Sequence, residues 1–256
     1  MDLETRILRQ RLLDAQQLPE ILLLKESTTS TNDDVRELAQ KNVATALVCS
    51  QIQTQGRGQH QREWISPKGN IYLSTLVNTQ TTLDGRLALE IALNILQMPA
   101  LSELKLQVKW PNDLYSLQGK WGGILVEPLS PHQAIVGVGM NLVTPMQLPT
   151  DQAVTSLSDL GLLQADRTEL IAQLYLAIQN AKDWFDHGCY NLDQRFNHYA
   201  AFMHQAIRFE HHQGHITGSF EGINSEGAVM VHDQEGLKHF YQGRMRLIQH
   251  EDGSAL

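Results

Sequence analysis

Residues 106–141 read LQVKWPNDLYSLQGKWGGILVEPLSPHQAIVGVGMN. Leu106–Trp110, Ile124–Val126 and Ala134–Val138 are short apolar runs of β character, and Pro111-Asn112-Asp113 supplies turn chemistry between the first two. Upstream, Ala44–Gln53 reads as a buried strand and Ile71–Val77 as another. Helical patterns near Leu83–Met98 and Arg167–Phe185 interleave with these strands. The expected fold class is therefore α+β, a mixed β-sheet flanked by helices.

The texture changes after about Ala206. Ile207–Glu210, Ile216–Phe220, Ala228–Val231 and Lys238–Tyr241 are short β runs, split by Asn224-Ser225-Glu226-Gly227 and Gln234-Glu235-Gly236. The expected division is a domain over residues 1–205 and a small all-β, barrel-like domain over 206–256. Near the start, Leu3–Leu18 reads as an amphipathic helix that Pro19 closes before the apolar run Ile21–Leu24. The expected helical segment lies within residues 1–20, too little chain for a helix-turn-helix module, so no DNA-binding domain is expected.

Of 256 residues, 42% are hydrophobic, enough to bury one good core and a satellite. Twenty Lys+Arg against 28 Asp+Glu give a formal charge of -8, which opposes broad attraction to nucleic acid or anionic lipid. Any phosphate must then be met by a local basic cluster. Two cysteines, Cys49 and Cys189, are too few for a disulfide framework, and no stretch reaches the length of a membrane span. A soluble, cytoplasmic protein is expected.

The segment Thr54-Gln55-Gly56-Arg57-Gly58-Gln59-His60-Gln61-Arg62-Glu63-Trp64 follows a strand. Two glycines allow close backbone approach to a phosphate, two arginines offer guanidinium forks, and an indole can lie against a purine. It is neither a Walker A loop nor G-x-G-x-x-G, and taken alone it reads more readily as a plain surface loop with incidental charge. Lys109 ends a strand just before Trp110-Pro111-Asn112-Asp113 and would point from a rigid element toward a site. There a lysine can neutralise a carboxylate and the phosphate it attacks; alone, the segment is equally an ordinary hairpin. Gly122-Gly123 beside Lys120, and Gly137-Val138-Gly139-Met140-Asn141, mark close approach of a ligand or of tightly packed protein. Asp33 and Asp34 fit the electrostatics of a helix start capped near Ser30 and Thr31. The cluster His211-His212-Gln213-Gly214-His215 lacks the ligand pattern of a zinc site, so no protein metal site is expected.

Five blocks in order, Ser30-Thr31-Asn32, the Gly56-Arg57-Gly58 loop ending at Trp64, Lys109-Trp110-Pro111-Asn112-Asp113, Gly123-Ile124-Leu125-Val126-Glu127 and Gly137-x-Gly139-x-Asn141, together resemble the biotin protein ligases. The resemblance extends to the terminal β region, similar to that family's small SH3-like barrel, and matches the short form without a repressor domain. It implies ATP-dependent biotinylation of a lysine on the biotin carboxyl carrier protein of acetyl-CoA carboxylase, through biotinyl-5′-AMP, with ATP and Mg2+ as cofactors and biotin as substrate. It implies Lys109 and Arg57 as catalytic residues. Biotin would meet Ser30, Thr31, Asn32, Gln53, Gly56, Arg57, Gly58, Gln59, Lys109, Gly123 and Gly137, with Gly123, Gly137 and Gly139 making room for the bicyclic ring. The nucleotide would meet Arg62, Trp64, Lys120, Gly139, Asn141 and Arg246. Partners implied are the carrier protein, neither DNA nor membrane, with the chain a monomer or homodimer.

Two departures from the family pattern stand out. Where that loop usually reads Gly-Arg-Gly-Arg-x-Gly-Arg, this chain has Gln59 for the second arginine and Gln61 for the later glycine. Losing the arginine implies weaker retention of the adenylate. The C-terminal stretch is Gly243-Arg244-Met245-Arg246-Leu247-Ile248, leaving Arg246 the nearest substitute for a phosphate-contacting arginine. A lipoate ligase is the nearest rival, but its Arg-Arg-x-Ser-Gly-Gly-Gly pattern is absent; a non-catalytic biotin sensor would need a DNA-reading module.

Overall fold

The computed structural model describes residues 2–144, 152–164 and 166–248. Seven strands form one mixed sheet: β1 (Ile21–Lys25), β2 (Ala46–Ser50), β3 (Ile71–Asn78), β4 (Gln107–Lys109), β5 (Asp113–Ser116), β6 (Gly119–Ser130) and β7 (Gln133–Met140), in the order β1-β2-β3-β7-β6-β5-β4. Only β1 and β2 run parallel; every other neighbouring pair is antiparallel. Helices α1 (Leu3–Asp14), α3 (Arg86–Leu96) and α4 (Arg167–Asp186) contribute to the main core, while α2 (Thr31–Gln40) packs with β2, β3 and β7 around a smaller one.

The two-residue side-chain period of a strand sorts this sheet. Leu47 and Cys49 of β2 join the main core with Leu73, Val77, Val136 and Val138, whereas Ala46, Val48, Leu76 and Ile135 pack under α2 with Val35. Continuing the second set along β3 and β7 brings Ser74, Gly137 and Gly139 to the α2 face. The register pairs Ser74 with Gly137, and Gly123 with Gly139. The α2 face thus turns from apolar to small and polar beside the start of α2, leaving a hollow.

A second, antiparallel sheet holds β8 (Ala206–His211), β9 (Gly214–Ile223), β10 (Val229–Asp233), β11 (Gly236–Phe240) and β12 (Arg244–Leu247), in the order β11-β10-β9-β8-β12. A closed barrel would need β11 to pair with β12; these strands sit at opposite ends of the order and do not pair among the described residues, so the expected barrel is here a five-stranded sheet. Phe209 and Phe240 approach to 4.9 Å between ring centroids.

One expectation needs correction, and three elements went unforeseen. The first helix ends at Asp14 rather than near Leu18, with Gln16 in the left-handed region at φ 56. Helix α5 (Leu192–Tyr199) was not expected, and neither were β5 and β12; their four to eight residues carry too little periodicity to stand out.

The sheets share one hydrophobic cluster. Trp110, 4% exposed, donates its indole N–H to Gly227 O at 3.1 Å and lies 5.8 Å from the Phe209 ring. Asn197 of α5 bonds both backbone groups of Ile223. Trp110→Ala is expected to cost about 3–5 kcal/mol, read as a lowered denaturant midpoint in equilibrium unfolding. A loss below about 1 kcal/mol would show that this indole does not join the sheets.

Candidate active site

The hollow is a cavity of about 560 Å³ between the start of α2, the 53–65 loop and the β5–β6–β7 face. At its floor, Thr31 N donates to Gln53 Oε1 at 2.9 Å and Thr31 Oγ1 lies 2.6 Å from Ser74 Oγ. Ser74 donates to Asn32 Oδ1 at 2.6 Å, and Asn32 Nδ2 to Glu127 Oε2 at 2.8 Å. Gln53 Nε2 in turn donates to Ser66 Oγ, which donates to Trp64 O. Each buried polar group in this series has a partner, so the floor is rigid as well as polar. Ser30 occupies the N-cap position of α2 as expected, but makes no side-chain cap bond.

The glycine-arginine loop folds back on itself, with Trp64 N donating to Gly56 O and Gly58 N to Arg62 O. Arg57 grips Asp33 through both terminal nitrogens, at 2.6 and 2.7 Å. That fork holds the Asp33 carboxyl below its ordinary 3.8 and raises Arg57 above its own ordinary value. Asp33 is thus more than a helix-start charge. At the loop tip His60 and Gln61 have φ 56 and 58, a region that costs L residues roughly 1–2 kcal/mol each. Gln61, where the resembled pattern has glycine, therefore sits where glycine is the unstrained choice.

Two lysines flank one carboxylate. Lys109 ends β4, is 7% exposed, and donates to Gln152 Oε1 at 2.8 Å; Asp113 Oδ2 lies 3.9 Å away. Lys120 Nζ reaches Asp113 Oδ1 at 2.5 Å and stands 5.1 Å over the Trp64 ring. Arg57, Arg62, Lys109, Lys120 and Arg244 all line the cavity, against the carboxylates Glu63 and Asp113. A chain of charge -8 thus concentrates cations at one hollow.

Most of the expected site residues meet here: Ser30, Thr31, Asn32, Gln53, Arg57, Gly58, Gln59, Arg62, Trp64, Lys109, Lys120, Gly123, Gly137, Gly139 and Asn141 line the cavity. Gly56 does not; it is buried beneath the loop, where a Cβ would lie 2.6 Å from Ser66 Oγ. Arg246 does not either. It lies on β12 with Nε 3.6 Å from Glu210 Oε1, while Gly243, Arg244 and Met245 supply that part of the wall. The glycines also differ from expectation in what they admit. A Cβ on Gly139 would lie 2.6 Å from the Trp64 indole, and one on Gly137 would collide with the Asn32 amide, so these two make room for protein side chains. Gln152, Val154, His60, Tyr72, Arg244 and Met245 line the cavity without having been singled out for it. Asp113 carried a signal in its i+4 spacing from Lys109; Gln152, 43 residues from Lys109 in an irregular segment, carried none.

A model of the biotin/lipoate A/B protein ligase family matches residues 24–141. The biotin–[acetyl-CoA-carboxylase] ligase of Paracoccus denitrificans is 30% identical over 241 residues, covering 82% of this chain and 93% of that one. The enzyme of the same description from Mycobacterium tuberculosis is 32% identical over 182 residues, 67% of this chain and 68% of that one. Among solved structures, biotin protein ligase from Aquifex aeolicus in complex with biotin and ATP superposes with a TM-score of 0.75 at 26% identity, covering 90% of this chain and 99% of that one.

Gly139→Ala is expected to push Trp64 off the β7 face and, by costing about 1–3 kcal/mol of packing, to weaken ligand binding by about 5- to 150-fold in calorimetry. Unchanged affinity would show that the indole position is immaterial. The Asp33–Arg57 latch predicts a pH dependence. Because the folded carboxyl is depressed below 3.8, its stabilisation is present above that value and lost as pH falls through the folded one. Thermal melts should find the wild type more stable than Asp33→Asn at neutral pH, with the difference shrinking on acidification below 3.8; a constant difference would contradict the latch.

Proposed function

The chain belongs to the biotin–[acetyl-CoA-carboxylase] ligases, and from that membership we propose how its own residues divide the work of joining biotin to a carrier lysine. The reaction has two steps. A biotin carboxylate oxygen attacks the α-phosphorus of ATP and pyrophosphate leaves; the acceptor lysine nitrogen then attacks the acyl carbon of biotinyl-AMP, AMP leaves and the amine gives up a proton.

The observation that carries the assignment of roles is Lys109, a nine-tenths buried ammonium on the wall of the cationic cavity. Two anions must meet in the first step, and a fixed ammonium removes that repulsion without reorganising at the moment of reaction. Ser30, Thr31, Asn32 and Gln53 take the polar ends of biotin, with Gly123 beneath its ring and Gly137 giving Asn32 the room to reach it. Arg57, Gly58 and Gln59 form the loop over the adenylate, Arg57 being the second catalytic group; Gly56 shapes that loop from behind. Arg62, Trp64, Lys120, Gly139 and Asn141 face the nucleotide. Trp64 Nε1 is buried without a partner among the described residues, a donor left over for a ligand acceptor. Arg244 takes the place first expected of Arg246.

Magnesium accompanies ATP in this reading and supplies charge neutralisation on the triphosphate. Among the described residues no group of three or more His, Cys, Asp or Glu could hold a metal by itself. That suits an ion carried mainly by phosphate oxygens and water, with Asp113 or Glu63 as single carboxylates. The second sheet is read as an SH3-like domain covering 206–256, beside a catalytic domain over 1–205. The acceptor is the carboxyl carrier protein of acetyl-CoA carboxylase. The acidic chain works in the cytoplasm as a monomer or homodimer and takes no DNA; no helix among the described residues is long and apolar enough to cross a membrane.

Transfer of labelled biotin to a purified carrier domain with Mg-ATP tests this. Lys109→Ala should lower kcat by about 10²–10³ with the fold intact, and lipoate should not substitute. An inactive wild type that still binds biotin would overturn the ligase reading in favour of a biotin sensor.

A further inference from the structure

Behind the cavity floor stands Glu127, a partly buried carboxylate on β6 that lies outside the cavity lining. Asn32 Nδ2 donates to its Oε2 at 2.8 Å and Arg36 Nη2 to the same oxygen at 3.0 Å, while Arg57 Nη2 lies 3.9 Å from Oε1. Arg36 and Arg57 are the charged groups that face it among the described residues. At neutral pH a carboxylate only accepts hydrogen bonds. Asn32 therefore has to turn its nitrogen toward Glu127 and its oxygen away from it.

That choice propagates through the floor. With Asn32 Oδ1 directed at Ser74 Oγ, 2.6 Å away, the single Ser74 proton is committed to Asn32. The 2.6 Å contact between Ser74 Oγ and Thr31 Oγ1 then needs the Thr31 proton. Gln53 Oε1, 3.1 Å from Thr31 Oγ1, is already supplied by Thr31 N at 2.9 Å. Donors thus run one way, from Thr31 to Ser74 to Asn32 to Glu127, and the carboxylate is where they end. Thr31 and Asn32 both line the cavity. What they have left to offer it is the second Asn32 N–H, which makes no bond among the described residues, and a lone pair on Thr31 Oγ1. A cyclic urea carries the complement of that pair, a carbonyl oxygen and ring N–H groups.

We propose that Glu127 is a positioning residue for biotin: its carboxylate fixes which way the Asn32 amide faces and, through Ser74 and Thr31, the donor and acceptor pattern that meets the ureido ring. This rests on the reading of the floor given above. Three substitutions separate the acceptor from its charge and its ion pairs. Glu127→Met keeps the length of the side chain and removes the acceptor, so the Asn32 amide is released to turn over. Glu127→Gln keeps an oxygen that Arg36 holds toward Asn32. Arg36→Met breaks the ion pair and leaves the bond to Asn32.

The experiment is calorimetric titration of biotin into the full chain, with steady-state transfer and thermal melts alongside. Glu127→Met should raise the biotin Kd about tenfold, and Glu127→Gln and Arg36→Met by about threefold at most. At saturating biotin, kcat should stay within about twofold of wild type in all three, because no reacting atom is touched. In an Asn32→Ala background Glu127→Met should add less than about twofold, the route to biotin being already cut. Glu127→Ala repeats the reading if Glu127→Met melts early. An unchanged Kd in both variants that lack the acceptor would overturn the proposal. So would an undiminished loss in the Asn32→Ala background, or an equal loss in Glu127→Gln or Arg36→Met, which would assign the effect to charge or packing. A wild type that binds biotin but transfers none refutes the ligase reading alone, and one that binds no biotin refutes the reading of the floor, so the failures are distinguishable.

Discussion

A single ammonium kept nine-tenths out of water, in a chain of charge -8, is the constraint to which the rest of the structure answers. Burying Lys109 is unfavourable unless acceptors and counter-charge are fixed nearby, and β4, β5 and the 152–155 strap bring them from three directions. Asp113 is shared with Lys120, which itself leans on Trp64, and Trp64 fits only because β7 carries glycine at 139. Small residues on one sheet face, an indole, two lysines and one carboxylate thus form a connected set in which each member fixes the next.

The Asp33–Arg57 fork does similar work on the other wall. It ties the loop over the hollow to the first turn of α2, whose Thr31 and Asn32 are in turn bonded to Gln53, Ser74 and Glu127. Loop, helix and sheet therefore meet through side chains rather than through backbone pairing alone, and these bonds fix the geometry of the polar floor.

Much of this was readable in the residues. The long apolar strands and the helices over 86–96 and 167–186 follow from periodicity, and the ordered blocks around Arg57, Lys109, Gly123 and Gly137 brought most of the cavity wall together. What escaped were features set by long-range closure. Nothing local distinguishes Gln152, or Arg244 from Arg246, because which side chain enters a cavity depends on strand register and on where a loop returns. The end of α1 at Asp14 was lost to an apolar Leu18 that packs against the core from outside the helix. The glycines at 137 and 139 were legible as close approach, but not as room for Asn32 and Trp64 in particular.

The bond from Trp110 to Gly227 joins residues 117 positions apart, and Trp110 directly follows Lys109. During synthesis at roughly 5–20 residues per second, about 6–23 seconds separate the appearance of that indole from that of its acceptor. For that interval the segment bearing the lysine lacks the second sheet as a support. Maturation of the catalytic wall is thus coupled to the arrival of a part of the chain that contributes only a few residues to it, and a nascent chain stalled before Gly227 would hold most of the site's residues but not this closure.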